Sequence, residues 1–456
     1  MDNGKEERAN FSSHLGYVLA AAGASVGLGN IWRFPYLASK YGGGIFLLVY
    51  LILMVIFGYP MVISETVLGK MTKKSPVGAF RQYGKKFPYK FGGWINAIIP
   101  VIILPYYSVI GGWVIKYMVE YFKGNAMTLA SDGYFSAFIT GNVGSEMWFI
   151  LFSAFTFLII LLGVKNGIEK ASKVLMPVLI VLSLGIMGYT VTRPGAMNGV
   201  KYLLVPDFSH FSLMTIVAAM GQMFYSLSIA MGILYTYGSY LKPEADIEKT
   251  TLQVEVFDFS IALVSALIII PSVFSFSGGD AATLNAGPSL MFITLPKVFA
   301  STGVGNIIGA VFFFLVFLAA LTSSIALLES AISTFTDELG WKRSACCVLM
   351  VVICLVLGSL SSLGYGCLEN ITMLKMQFLD FFDFLTNSLM MPIAAIATCF
   401  LILFKVGLPT IVKEVSKTSA FKRKKLYCFS LKYLAIICIL LIFVTSILSA
   451  FGVLII

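Results

Sequence analysis

Charge is scarce in this chain. Of its 456 residues only 12% are Asp, Glu, Lys or Arg, about half the share of an ordinary soluble domain. Histidine is scarcer, with His14 and His210 alone. No HExxH and no GxxxxGK[ST] occurs, so the common zinc-peptidase and P-loop ATPase signatures are missing. The seven cysteines, Cys346, Cys347, Cys354, Cys367, Cys399, Cys428 and Cys438, sit in the last quarter or so of the chain without CxxC spacing. That pattern reads as small residues buried in apolar runs, not as metal or disulfide chemistry. The strict alternation of a membrane β-barrel strand is lacking as well. These shortages exclude a disulfide scaffold, a coiled-coil rod, a disordered chain and a DNA-binding domain.

What the chain has is apolar length. Hydrophobic residues make up 58% and the mean hydropathy is +0.91, which marks an integral membrane protein. A helical span needs about 20 apolar residues. Reading the runs between charged or turn-rich breaks predicts eleven spans, at roughly 13–38, 43–70, 92–122, 146–163, 169–191, 212–240, 250–276, 302–336, 343–363, 376–404 and 430–455. No cleavable leader is expected, because Asp2 to Arg8 mix both signs and the first run continues without a small-residue cleavage site. With the N-terminus inside, 24 of the 32 Lys and Arg fall on the cytoplasmic side, and the opposite orientation would invert that ratio. The net charge of +10 therefore reflects inner loops and implies no nucleic-acid partner. The Lys-rich 413–425 stretch reads first as a solvated inner loop, and second as a contact for anionic lipid.

Two spans are interrupted. The first carries Gly23, Gly27 and Gly29, then Asn30, Arg33 and Pro35. Each glycine costs about 1 kcal/mol against alanine in a helix, and proline about 3. Unpaired backbone is tolerated at membrane depth only where it lines a cavity or binds something. Close helix packing through small residues is the competing reading, and it leaves Asn30 and Arg33 unexplained. The sixth span repeats the theme, with Gln222, Ser226, Ser228 and Gly232 inside an apolar segment. Broken helices at matching positions of two halves point to a secondary transporter's binding site. A break exposes N–H groups at a positive dipole end, suited to a carboxylate, and carbonyls suited to a hard cation. The eighth span adds Thr322, Ser323 and Ser324 in succession, although such runs often only back-bond to their own helix.

The strings GASVGLGNIWRFPYLASKYGGGIF, PYYSVIGGW, GQMFYSLSIAMG, LTSSIALLES and FLDFFDF together resemble the neurotransmitter:sodium symporter family, in its bacterial amino-acid branch. The resemblance runs in order over spans one to ten. It implies an all-α polytopic, LeuT-like fold of two inverted five-helix repeats, at 13–191 and 212–404. A cytoplasmic segment, 1–12, would precede them, and a basic loop, 405–429, and an eleventh helix, 430–456, would follow.

The same resemblance implies sites. One sodium would take the carbonyls of Gly23, Val26 and Ala319 with the hydroxyls of Thr322 and Ser323. The other would take the carbonyl of Ser25, the amide of Asn30 and the hydroxyl of Ser226, completed by the substrate carboxylate. That carboxylate would meet N–H groups near Leu28 and Gly29 and the hydroxyl of Tyr107. Ile103, Tyr225, Ser228, Met231, Ser323 and Leu327 would line the side-chain pocket. Arg33 and Asp383 would form an outer gate, and Arg8 with Asp337, braced by Tyr240, an inner one. Phe11 stands where the family usually has Trp. Asp258 falls either at the family's sodium-ligating Asn or at the nearby Ser of its chloride site, and in both cases supplies a negative charge.

The expectation is a chloride-independent sodium symporter of the inner cell membrane with its N-terminus in the cytoplasm. It would carry a neutral amino acid, without an organic cofactor and without enzymatic activity, and its oligomeric state is open. Monoamine carriers of the family place Asp where Gly27 stands, so an amino acid is favoured over an amine. The pocket suggests a large hydrophobic or aromatic one, tyrosine first. Ionisable residues inside spans are costly and functional by default; Arg33, Glu65, Asp258, Glu329 and Asp383 qualify. Glu65 reads as a hydrogen-bond partner for unwound backbone. A channel is disfavoured by opposed Arg and Asp at one level, and a membrane enzyme by the lack of a nucleophile paired with either histidine.

Overall fold

The computed structural model describes residues 10–277 and 289–450, and the described residues are almost wholly helical. Among the described residues nine helices are long and apolar enough to cross a membrane: Gly44–Thr72, Phe87–Phe122, Asn142–Leu161, Val164–Val191, Ile247–Ser277, Gly305–Leu339, Arg343–Leu363, Phe378–Val406 and Lys424–Thr445. They are spans two to five and seven to eleven. Span one is a bent pair, His14–Ser25 and Gly29–Lys40, with 57° between its halves. Span six is also two pieces, Leu213–Ser226 and Ile233–Ser239. Among the described residues the fold is all-α and polytopic.

Burial separates scaffold from lipid-facing helices. The most apolar stretches of spans eight and three are 89% and 83% buried, while those of spans five and eleven are 28% buried. A helix that is hydrophobic all round lies inside a bundle or within lipid. Here spans three and eight are enclosed by protein, and spans five and eleven keep much of their apolar surface outward. The two broken helices lie against this buried centre, so their unpaired backbone faces protein and not hydrocarbon.

Several short helices went unread in the sequence because they are too short or too amphipathic to register as spans. Pro76–Tyr83 follows span two, Ala196–Leu204 precedes span six, and Leu290–Ala300 lies between spans seven and eight. The last brings Phe292 against Trp113, Tyr117 and Phe135, with ring centroids 5.0–5.8 Å apart. It also reaches Trp32 of span one at 6.3 Å.

Candidate functional site

Span one ends its first half at Ser25 and resumes at Gly29. The glycines at the break are demanded by close neighbours. A Cβ on Gly27 would lie 2.7 Å from the Ser323 hydroxyl and 2.9 Å from that of Tyr107, and one on Gly29 would lie 2.7 Å from the Tyr225 ring. In span six, Ser228, Ala230 and Gly232 take φ of 54°, 62° and 70°. For the two non-glycine residues this left-handed conformation costs about 1 kcal/mol or more each. Bonds from other elements hold it. Glu65 accepts the Ala230 N–H at 2.9 Å, the role its sequence position suggested. The Ser228 hydroxyl donates to the Ala24 carbonyl at 3.2 Å, tying one break to the other. Gln222 adds a second tie, from its amide N–H to the Gly29 carbonyl at 3.0 Å.

Two groups of oxygens converge on these breaks. In the first, the Ser323 hydroxyl lies 3.2 Å from the Gly23 carbonyl and 3.1 Å from that of Val26. Thr322 bonds the Ala319 carbonyl at 3.0 Å, and a Cβ on Gly23 would sit 3.1 Å from Thr322. Ser323 thus faces the carbonyls of the break, while the Thr322 hydroxyl bonds back to its own helix at Ala319. Ser324 does not join them; it turns to the Thr156 hydroxyl of span four at 2.9 Å.

The second group centres on Asp258, which is fully buried. Its carboxylate accepts from the Asn30 amide at 2.8 Å and from the Ser226 hydroxyl at 2.8 and 3.0 Å. The Tyr50 hydroxyl lies 3.5 Å away. Tyr50 went unread in the sequence, where the clue was a phenol among the apolar residues of the first half of the second span. The Asn30 amide oxygen accepts the Gly27 N–H at 3.1 Å. Ser25 shares the cavity wall, with its hydroxyl donated to the Ala21 carbonyl.

Between the two groups lies a narrow cavity of about 30 Å³. Leu28, Gly29, Ile103, Tyr107, Tyr225, Ser226, Ser228, Met231, Ser323 and Leu327 all line it. The Leu28 N–H donates to the Tyr107 hydroxyl at 3.2 Å at one end of it. The apolar side chains of Ile103, Met231 and Leu327 form the rest of the wall.

At the outer end Arg33 and Asp383 make no direct ion pair within 4.0 Å: the Arg33 guanidinium sits 5.5 Å from the Tyr225 ring centroid, while Asp383 accepts from Tyr106 at 3.2 Å and from Asn387 at 2.6 Å. A flat aromatic face and two neutral donors occupy each charge instead. At the other end Arg8 lies outside the described residues. Asp337 accepts the Ser75 N–H at 2.8 Å. The Tyr240 hydroxyl donates to Glu329 at 2.7 Å, and Glu329 pairs with Arg343 at 2.5 Å. Phe11 packs edge-on against Tyr17 and Tyr237, with centroids 5.4 and 5.6 Å away.

Comparison with known proteins identifies the family. A family model described as the sodium:neurotransmitter symporter family matches residues 8–131 and 118–453. The chain belongs to this family. Among similar symporters is the uncharacterized sodium-dependent transporter YhdH of Bacillus subtilis (strain 168), 30% identical over 97% of this chain and 98% of its own. A sodium-dependent transporter of Haemophilus influenzae is 31% identical over 98% of this chain and all of its own. Mouse sodium- and chloride-dependent GABA transporter 2 is 27% identical over 74% of this chain and 63% of its own. The crystal structure of MhsT in complex with L-phenylalanine superposes with a TM-score of 0.86 and 34% identity, over 96% of this chain and all of that one. This chain is thus a multi-pass, sodium-dependent transporter of the symporter family.

Proposed function

We propose that this symporter imports a neutral, large hydrophobic or aromatic L-amino acid with two sodium ions, and needs no chloride. The observation that carries the reading is the buried Asp258 carboxylate at the meeting of both breaks. A sodium beside Asp258 and a zwitterionic substrate sum to zero charge, so no further anion is required to offset the cost of burial. With a neutral residue at 258 the same site would hold one uncompensated positive charge. The chloride dependence in the name of the GABA relative therefore stays with that relative.

On this reading the Asn30 amide oxygen turns toward the cation, since an amide NH2 repels it. That turn frees the Gly27 N–H, which joins the Leu28 N–H and the Tyr107 hydroxyl in holding the substrate carboxylate. Sodium and substrate then assist each other, which is the reciprocity symport needs. L-phenylalanine is bound in the structure of MhsT, and the apolar wall of Ile103, Met231 and Leu327 suits a side chain of that kind. Transport would run inward across the inner cell membrane, with the N-terminus and the basic loops in the cytoplasm. The division into repeats at 13–191 and 212–404 belongs to the same reading.

The test is uptake into proteoliposomes with and without a sodium gradient, against the twenty amino acids, in chloride and in gluconate. Sodium-driven uptake of aromatic or large aliphatic amino acids, equal in both anions, is expected. Loss of uptake in gluconate would remove the charge argument, and stronger competition by glycine, alanine or GABA would remove the pocket argument.

A further inference from the structure

A second, larger recess lies away from the transport site, between spans five and seven. It encloses about 780 Å³ and is closed at one end by residues 419–423 of the loop before span eleven. Ile180 and Leu184 of span five and Leu252, Val256, Ile261 and Val264 of span seven form its apolar length. Lys249, Lys422 and Arg423 stand at its mouth. Val256 is 60% exposed, so the recess opens sideways, toward the hydrocarbon around span five.

The mouth is built, not incidental. Glu248 accepts four donors: the Tyr59 hydroxyl at 3.0 Å, the Lys422 and Arg423 N–H groups at 2.8 and 3.1 Å, and the Arg423 guanidinium at 3.1 Å. Those bonds pin the loop to the start of span seven and set the Lys422 and Arg423 side chains beside Lys249. The other carboxylate at the mouth, Asp246, caps the first turn by accepting the Lys249 N–H at 3.0 Å. Among the described residues neither the Lys249 nor the Lys422 ammonium has an ion-pair or hydrogen-bond partner. One turn further in, the Gln253 amide oxygen is buried and has no donor. Lys249 to Val264 spans roughly 22 Å of helix, more than the ~15 Å of one leaflet's hydrocarbon.

We propose that this recess binds one anionic glycerophospholipid. The phosphate lies between Lys249, Lys422 and Arg423, one acyl chain runs along the apolar wall, and Gln253 lies at the depth of the glycerol ester groups. Charge complementarity selects the lipid class: two unpaired ammonium groups attract a phosphate that carries net charge and gain less from a zwitterionic headgroup. The placement fits the leaflet faced by the Lys-rich 413–425 segment. The site is independent of the substrate reading, because none of its residues touches the transport cavity.

Native mass spectrometry of the full-length protein, titrated with phosphatidylglycerol or with phosphatidylcholine of the same chains, tests it. The wild type should hold one phosphatidylglycerol at concentrations where phosphatidylcholine is not retained. Lys249→Gln with Lys422→Gln should weaken that binding roughly tenfold or more, as expected for removing two near-surface cations. Val256→Trp, which fills the groove, should weaken it too. Lys424→Gln with Lys425→Gln, in the same basic segment but outside the recess, should leave it unchanged. Equal retention of both lipids by the wild type overturns the proposal, as does full retention by the Lys249/Lys422 variant. An equal loss in the Lys424/Lys425 variant also overturns it, by showing diffuse surface attraction. Sodium-dependent uptake by the two lysine variants confirms that they are folded.

Discussion

Single atoms decide much at the two breaks. The Ser323 hydroxyl meets the Gly23 and Val26 carbonyls across the break, and with Thr322 and Ala319 the proposed set is neutral, suited to a monovalent cation where a divalent one would attract carboxylates. Thr322→Val with Ser323→Ala keeps the volume and removes two oxygens. The sodium concentration for half-maximal uptake should rise at least several-fold, and an unchanged sodium response would strike these residues from the site. Gly29 offers a steric test. Its missing Cβ leaves room for the Tyr225 ring, so Gly29→Ala must push that ring into the cavity or away from Arg33. Uptake should fall steeply while the protein still melts cooperatively, and wild-type uptake kinetics in this variant would mean the ring can yield at no cost.

At the scale of elements, span six stays unwound because span two pays its backbone debt. Glu65 is buried and accepts the Ala230 N–H, and an unmet buried donor costs about 1–3 kcal/mol. Glu65→Gln keeps an acceptor and should melt within a few degrees of the wild type. Glu65→Ala keeps none and should melt clearly lower and lose uptake. Equal melting of the two variants would show that the bond is not what holds the break. The left-handed Ser228 and Ala230 explain why such help is needed: neither residue adopts that conformation unaided.

At the scale of the whole molecule, the end of span six is joined to spans eight and nine through Tyr240, Glu329 and Arg343. The Glu329 side chain is fully buried, whereas that of Arg343 is 32% exposed. Arg343→Gln would strand the carboxylate, at a cost of roughly 3 kcal/mol. The variant should melt lower, and Glu329→Gln combined with Arg343→Met should recover much of the loss. A double variant as unstable as the single one would mean the network acts through something other than charge. On the proposed import reading this end must open during transport, so the single variant should also label faster than the wild type at a cysteine placed near Tyr240.

Local chemistry was legible in the sequence, and partnership was not. The spans follow from runs of apolar residues. The breaks at Gly27 and near Ser228 follow from residues that cannot hold a helix at that depth, which is a property of neighbours along the chain. The line of cavity residues from Leu28 to Leu327 was readable through motif resemblance and reappears around one space. Rotation and register of packed helices settled the rest. They turned Ser324 toward Thr156 while its neighbour Ser323 faced the break. They set Arg33 over Tyr225 and not against Asp383, and they brought Tyr50 to Asp258. They also gave Glu329 its arginine from the next helix. Helix propensity acts over a few residues, whereas these pairings join positions 14 to 300 residues apart, and only the packed bundle brings them within bonding distance.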